Sequence, residues 1–279
     1  MQTVNQIPKV IHYCWFGGNP LPDAAVRCIE SWKKYCPGYE IRCWDESNYD
    51  VNACAYVKEA YEAGKWAFVS DYARFDILYQ HGGIYFDTDV EMVAPIGDLL
   101  EKGSFMGVEQ NDFGIVVNPG LGMASVPCHP VYGKILSNYR KIHFLNPDGT
   151  YNQTTVVKYT TDILMEYGLQ ESQEPQCVAG IWIYPWDYFC PMEYKTGKIT
   201  ISPNTRTIHR YSATWLTAEE KSIHRFTMKA MERIGEKPGK CLGNLYSLPY
   251  KIKKRIRQTG VRETVKFVCR KFLKRKYII

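Results

Sequence analysis

Asp71, Arg74, Asp87 and Asp89 lie close together in the chain, with the turn Gly82-Gly83 between the two pairs. Asp71 and Arg74 are three apart, so on a helix they share one side and can pair or hold a common ligand. Asp87 and Asp89 are two apart at an expected strand end, where side-chain alternation places both on one face. Two carboxylates there suit a divalent cation, because Mg²⁺ and Mn²⁺ prefer oxygen ligands and commonly take one or two carboxylates plus substrate phosphates. The chemistry open to such a set is neutralisation of a diphosphate leaving group. An isolated Asp-X-Asp is most often a strand cap or a solvated turn, and an Asp/Arg pair is often a surface salt bridge of little weight. The combination, placed where α/β sheets bind ligands, singles this segment out.

The flanking sequence supplies the elements that must hold these residues. Lys9 to Phe16 is β-branched and aromatic and runs into Gly17-Gly18, which predicts a buried strand and a turn. Pro22 to Tyr35 predicts a helix with Pro in its first turn and Pro37-Gly38 beyond its end. Glu40 to Trp44 is a second strand, closing on Asp45. Nucleotide-binding α/β sheets commonly begin with such a β-α-β unit. Trp66 to Gln80 predicts the helix carrying Asp71 and Arg74, with Phe68, Tyr72, Phe75 and Tyr79 on one face and His81-Gly82-Gly83 as its stop. Ile84-Tyr85-Phe86 is the strand that delivers Asp87 and Asp89. Further strands are expected at Ser104 to Glu109, Gly114 to Val117, Ile181 to Tyr184, Lys198 to Ile201 and Arg206 to Tyr211, with mostly helix from Pro127 to Leu169. The expectation is one α/β domain over residues 1–216. A helical extension over 217–279 follows, opened by the capping box Thr217-Ala-Glu-Glu220.

Composition limits the function classes. Of the 279 residues, 45% are hydrophobic and 14% aromatic, which excludes a disordered chain and suffices for a full core. The net charge of +6 is unevenly distributed. From Lys251 to Ile279 twelve Lys and Arg face one Glu, a net of +11, which leaves −5 for residues 1–250. No stretch approaches the roughly 18 apolar residues of a membrane span. Met1 to Pro8 has neither the basic start nor the apolar run of a secretory signal. The ten cysteines are scattered without zinc-like pairing, which reads as reduced thiols packed as small hydrophobes in an unexported, cytoplasmic protein.

The stretch SDYARFDILYQHGGIYFDTDV resembles the DXD signature of glycosyltransferase family 32. The opening IPKVIHYCWFGG and the later HRYSATW are similar to that family's first strand and C-terminal motif. The likeness runs in islands from about residue 7 to 215. It implies a GT-A fold: a nucleotide-binding sheet flanked by helices, using a nucleotide-sugar donor and Mn²⁺ or Mg²⁺, with retention of anomeric configuration. Position by position, it implies that Asp71 and Arg74 hold the donor sugar and its phosphates. Asp87 would contact ribose or sugar together with the cation, and Asp89 would ligate the metal. His209 would be a metal ligand or phosphate contact, Tyr85 would line the donor pocket, and Trp215 would close over the diphosphate. Trp44-Asp45 would lie near the base, and Ile11 to Trp15, with Tyr13 between them, would form the nucleotide-side wall. Bland alternatives accompany several of these: His12 as a satisfied core histidine, Tyr85 as core by alternation, and Trp215 as a packing residue. The chain departs from the family at Gln153 to Thr161, where a Thr-Gly-Pro element is common, and at Ala-Thr-Trp215, where Ser-Trp is commoner. No nucleophile is identified by spacing, so front-face transfer is the expected route for retention.

The tail lies outside this resemblance. Val261, Val265, Val268 and Phe272 form a 4-3-4 apolar stripe among Arg262, Lys266, Arg270, Lys271 and Lys274. That pattern suits a peripheral anchor on an anionic membrane surface, where each basic group is worth about 1 kcal/mol. A solvated or docked end is the alternative. Nucleic acid is not expected, since stacking aromatics are not interleaved with the charges. Together these features suggest a UDP-sugar donor, a saccharide or lipid-linked saccharide acceptor such as a growing surface polysaccharide, and a place at the inner face of the plasma membrane. A metal-dependent phosphodiesterase using Asp87 and Asp89, or a non-catalytic carbohydrate-binding module, are the competing classes.

Overall fold

The computed structural model describes residues 6–109, 114–194, 196–212 and 218–275. Its contacts divide the chain into two units, Met1–Ser212 and Ala213–Ile279.

The first unit opens with β1 (Val10–Cys14), α1 (Asp23–Tyr35), β2 (Glu40–Trp44), α2 (Ala55–Glu62), α3 (Trp66–His81) and β3 (Gly83–Tyr85). It continues with β4 (Val90–Met92), α4 (Gly97–Lys102), β5 (Phe105–Gly107), a 3₁₀ turn at Pro119–Leu121, and β6 (Met123–Ser125). α5 (Pro130–Tyr139), α6 (Val156–Glu166), β7 (Gln176–Val178), β8 (Ile181–Tyr184), α7 (Trp186–Phe189) and β9 (Thr207–His209) complete it. Among the described residues seven strands form one sheet in the order β2-β1-β3-β6-β5-β8-β7, and β4 pairs with β9 in a small second sheet. β1, β2 and β3 run parallel, as do β5 and β8, while β6 is antiparallel to both β3 and β5. The fold is the expected α/β class, a sheet with helices on both faces. Alternation along the strands divides the core in two: Ile84, Phe105 and Ala124 face Trp32 of α1, whereas Tyr85, Met106 and Met123 face Phe75 of α3.

α3 departs from the one-faced helix that its spacing suggests. Val69 and every residue from Asp71 to Leu78 are buried, because α2, α5, α6 and the strands β1, β3 and β6 surround it. Gly82 ends the helix at φ 65 and Gly83 turns into β3 at φ 98, conformations that disfavour any residue with a Cβ. An added Cβ at Gly83 would lie 2.8 Å from the Val10 carbonyl and 3.0 Å from His12 Nε2. His12 is the satisfied core histidine of the two readings. Its Nδ1 accepts from Trp44 Nε1 at 2.9 Å and its Nε2 donates to the Gly82 carbonyl at 3.1 Å. Burial pushes it down to about 4, so it is neutral.

Two expected strands are reduced to single bridges, Val117 to Val108 and Ile199 to Met192. For Ile199 the reason is local, since Pro191, Gly197 and Pro203 leave no run long enough for a ladder. The strand through Ile84 stops at Tyr85, one residue early, and Thr88 and Asp89 lie in a turn. Asp87 and Asp89 therefore do not alternate on a strand, and the expected shared face is replaced by separate partners for each carboxylate.

The second unit contains α8 (Ala218–Ile234), α9 (Glu236–Tyr246) and α10 (Leu248–Arg275). Phe226 and Tyr246 stack at 4.2 Å between α8 and α9, where Gly239 and Gly243 meet Met231 and Thr227 closely. α10 breaks at Gly260, φ 80, immediately before the expected apolar stripe, of which Val261 and Val265 are exposed. The side chains of Val268, Phe272, Lys266, Arg270, Lys271 and Lys274 lie outside the described residues, as do Trp215 and the Thr217 cap. Among the described residues no helix is long and apolar enough to cross a membrane.

Candidate active site

Arg74 organises one half of the site. It is 4% exposed, and on so buried a helix its charge needs partners. Nη2 lies 3.1 Å from Asp71 Oδ1 and 3.2 Å from Asp87 Oδ1, Nη1 lies 3.4 Å from Asp87 Oδ2, and Nε donates to the Ser70 carbonyl at 3.1 Å. The Tyr85 ring lies beneath the guanidinium at 5.1 Å, and its hydroxyl donates to Asp87 Oδ1 at 3.0 Å. Burial would lower the Arg74 pKa, but Asp87, Tyr85 and Asp71 outweigh it and the guanidinium stays charged. Burial pushes Asp71 up to about 6 against the pull of Arg74. It raises Asp87 as well, with Arg74 again opposing.

The other half is built by the small sheet. β9 pairs with β4 in a register that sets His209 opposite Val90, next to Asp89. His209 Nε2 lies 3.3 Å from Asp89 Oδ1, and Asp89 Oδ2 accepts from the Ser212 amide at 2.9 Å and its hydroxyl at 3.1 Å. Burial alone would raise Asp89, but His209 and Ser212 overcome it and hold the carboxyl down at about 2. The same pair raises His209 against a burial effect of opposite sign.

Asp89 and His209 are the residues that would hold a cation, with Nε2 giving up the proton it shares with Asp89. Two adjacent ligands of an octahedral Mg²⁺ site at about 2.1 Å stand about 3 Å apart, close to the 3.3 Å between Asp89 Oδ1 and His209 Nε2. His209 Nδ1 is buried without a hydrogen-bond partner among the described residues, so the ring is not locked by a second bond. Among those residues no group of three or more His, Cys, Asp or Glu converges as a metal cage. An ion held by Asp89 and His209 would therefore complete its shell with water and substrate oxygens, the habit of hard divalent cations.

The other residues expected at the site are spread more widely. Ile11 is wholly buried and Tyr13 nearly so, the latter edge-on to Trp32 at 5.8 Å. Both belong to the core, so the expected wall narrows to Trp15, half-buried past the strand end with its indole N–H on the Asn19 carbonyl at 2.6 Å. Trp44 is held by His12 and stacks on His81 at 5.3 Å, and Asp45 accepts from the Ser47 amide at 2.8 Å in a local turn.

Five residues join the site without having been singled out: Glu109, Asn118, Gly120, Tyr211 and Ser212. Gly120 abuts Asp87, and its carbonyl accepts the Asp87 amide at 3.2 Å. Asn118 Oδ1 accepts the Gly120 amide at 2.8 Å, and Asn118 Nδ2 donates to Glu109 Oε2 at 3.0 Å. The Tyr211 hydroxyl donates to Glu109 Oε1 at 3.1 Å. Their available signal was the pair of strands ending at Glu109 and Tyr211, but nothing in the spacing ties either residue to Asp87 or His209.

Residues 22–106 match the family model described as the glycosyltransferase sugar-binding region containing a DXD motif. The stretch runs from the start of α1 to within β5 and includes Asp71, Arg74, Tyr85, Asp87 and Asp89. An uncharacterized glycosyltransferase of Acanthamoeba polyphaga mimivirus is 31% identical over 175 residues, which is 58% of this chain and 66% of that protein. Inositol phosphoceramide mannosyltransferase 1 of Schizosaccharomyces pombe is 27% identical over 172 residues, 58% of this chain and 49% of that protein. The chain thus matches less than two thirds of the length of either relative. Among solved structures, the PaToxG glycosyltransferase covers 57% of this chain and 69% of its own, with 20% identity and a TM-score of 0.42.

Proposed function

We propose that this chain, a glycosyltransferase of the family 32 type by its DXD region, moves a sugar from a nucleotide donor in a metal-dependent, retaining reaction, with a UDP-sugar favoured. The observation that carries the reading is the pairing of two unlike acid sites at the carboxyl edge of the sheet. Asp87 is tied to the buried Arg74, and Asp89, ionised beside His209, stands two residues away. That edge is where open α/β sheets bind their ligands.

In this reading Asp89 and His209 hold Mn²⁺ or Mg²⁺, which when bound supplies positive charge to the leaving diphosphate. Arg74 adds a fixed positive charge from a buried position, where it acts without reorganising. Asp71 and Asp87 hold the Arg74 fork in place and offer their remaining lone pairs to sugar hydroxyls. Tyr85 fixes the Asp87 carboxylate, and Trp15 offers ring surface to the nucleotide. The acceptor hydroxyl would attack from the leaving-group face and lose its proton to the departing phosphate oxygen.

The acceptor we infer is a saccharide, growing or lipid-linked, of a surface polysaccharide. The yeast relative is named for a lipid, inositol phosphoceramide, which agrees with a lipid-borne acceptor. The basic tail, with Leu248, Ile252, Val261 and Val265 exposed among its lysines and arginines, suits an anionic membrane surface at the inner face of the plasma membrane. Removal of residues 251–279 should abolish co-sedimentation with anionic liposomes, and equal binding by both forms would reject the anchor.

The central test is nucleoside diphosphate release from a panel of UDP- and GDP-sugars with and without Mn²⁺. Metal-dependent release that Asp87→Ala and Asp89→Ala both abolish is the expected result. Turnover near that of the parent in either folded variant would sink the assignment.

A further inference from the structure

Glu109 and Asp87 leave the same edge of the sheet. β3 and β5 each pair antiparallel with β6, so they run parallel to one another with β6 between them. Asp87 lies two residues beyond β3 and Glu109 two beyond β5, which sets them about 10 Å apart by strand spacing. The chain entering β6 fills the gap with Asn118 and Gly120.

Each oxygen of Glu109 takes a different donor. Oε2 accepts from Asn118 Nδ2 at 3.0 Å, and Asn118 in turn holds the Gly120 amide at 2.8 Å, against which Asp87 packs. Oε1 accepts from the Tyr211 hydroxyl at 3.1 Å. The Tyr211 ring meets the His209 ring edge-on at 4.2 Å, and His209 is paired with Asp89. Tyr211 adopts φ 48, a left-handed conformation that a bulky residue takes only when its surroundings enforce it. That backbone geometry accompanies the placement of its hydroxyl between Glu109 and the Cys190 sulfur, 3.0 Å away. A carboxylate accepts at both ends, whereas an amide in its place keeps the Asn118 bond only by turning its donor toward Tyr211, whose hydroxyl must then reverse its role.

We propose that Glu109 is a positioning residue of the active site. Its one carboxylate fixes the Asp87–Arg74 half through Asn118 and Gly120, and the Asp89–His209 half through Tyr211. The inference rests on the reading of the site as that of a nucleotide-sugar transferase. It assigns Glu109 no contact with the reacting atoms. It explains how two halves carried by different sheets keep one relative geometry, on which transfer depends steeply, since misplacement by about 1 Å can cost about 10²-fold in rate.

The test compares the full-length parent with Glu109→Ala, Glu109→Gln and Tyr211→Phe, measuring kcat and donor KM by nucleoside diphosphate release with Mn²⁺. Glu109→Ala should lower kcat at least about tenfold while donor KM stays within about threefold, the signature of lost transition-state geometry. Glu109→Gln, which keeps an acceptor for Asn118, should recover part of that rate. Tyr211→Phe, which removes only a hydroxyl, should lower kcat severalfold, and combined with Glu109→Ala it should add little, because both act through one device. Parent-like kcat in Glu109→Ala, a loss confined to KM, or fully additive effects would overturn the proposal. If Glu109→Ala does not fold, Tyr211→Phe decides by the same criteria. A parent chain that turns over no donor overturns the functional reading and this inference with it, whereas an active parent matched by its variants overturns this inference alone.

Discussion

Gly120→Ala probes the Asp87–Arg74 geometry without removing a functional group. Gly120 has no positive φ, so its backbone accepts alanine. The new methyl would collide with Asp87 Oδ2 and stand 3.1 Å from Asn118 Oδ1 and 3.2 Å from Arg74 Nη1. Asp87 is a short side chain pinned by Tyr85 at 3.0 Å and Arg74 at 3.2 Å, so it cannot swing aside freely. Reaching ordinary contact, about 3.5 Å, requires its carboxylate to shift by roughly 1 Å. The 3.2 Å ion pair then stretches toward 4 Å, out of hydrogen-bond reach. Loss of a hydrogen bond to a charged group costs about 1.5–3 kcal/mol, and a displacement of this size costs about 10²-fold in rate; the two figures agree, since 10² is about 2.7 kcal/mol. Stability should change much less, because Arg74 keeps Asp71 and the Ser70 carbonyl, each at 3.1 Å. The assay is kcat/KM by nucleoside diphosphate release beside thermal unfolding of the same preparation. A folded variant with turnover near that of the parent would refute the claim that transfer depends on this pair.

Three further outcomes follow from the same contacts. Asp89 is held at about 2 against an ordinary 3.8; its folded value is the lower, so its stabilisation is present above pH 3.8 and fades as the pH falls toward 2, roughly 2 kcal/mol in all. Urea unfolding at pH 6 and pH 2.5 should show the gap between parent and Asp89→Asn closing by most of that amount, and a gap that does not narrow contradicts it. Asp71, pushed up to about 6 by burial, takes a proton as the pH drops through that value; turnover should show an acid limb near pH 6, and the same limb persisting in the residual activity of Asp71→Asn would assign it elsewhere. Gly83→Ala combines a φ of 98 with contacts at 2.7 Å and 2.8 Å to Val10. It should cost about 3 kcal/mol in denaturant unfolding from left-handed strain plus overlap, and a loss below 1 kcal/mol would mean that β1 and β3 can separate cheaply.

The long elements of the first unit were legible because their periods had room to show. β2 and β8 match the predicted ranges residue for residue, and α1 and α3 differ by one residue at an end. The strands β4, β6 and β7 have three residues each, too short for alternation to stand out from chance. The burial of α3 was equally hidden, since the charges of Asp71, Arg74 and Asp76 give no sign of burial until their partners are known. Asp76 is buried with the Tyr49 hydroxyl at 3.1 Å. At the site, Asp71 with Arg74 could be paired from i,i+3 spacing alone. Asp89 with His209 and Glu109 with Tyr211 are 120 and 102 positions apart, and only the β4–β9 pairing and the turn after β9 bring them together.

The spacing of the two motif aspartates also misled about their chemistry. On a continuing strand they would have shared one face and one environment, and two like charges would have raised each other. Ending β3 at Tyr85 gives them different partners, although Asp89 still raises the Asp87 carboxyl. Asp87 stays with α3, where burial raises its carboxyl and a guanidinium opposes, and Asp89 turns to β9, where an imidazole and a serine hold it ionised. The one-residue difference in strand length thus sets the partners: in the proposed reading Asp89, held ionised beside His209, is the cation ligand, and Asp87, paired with Arg74, is the brace.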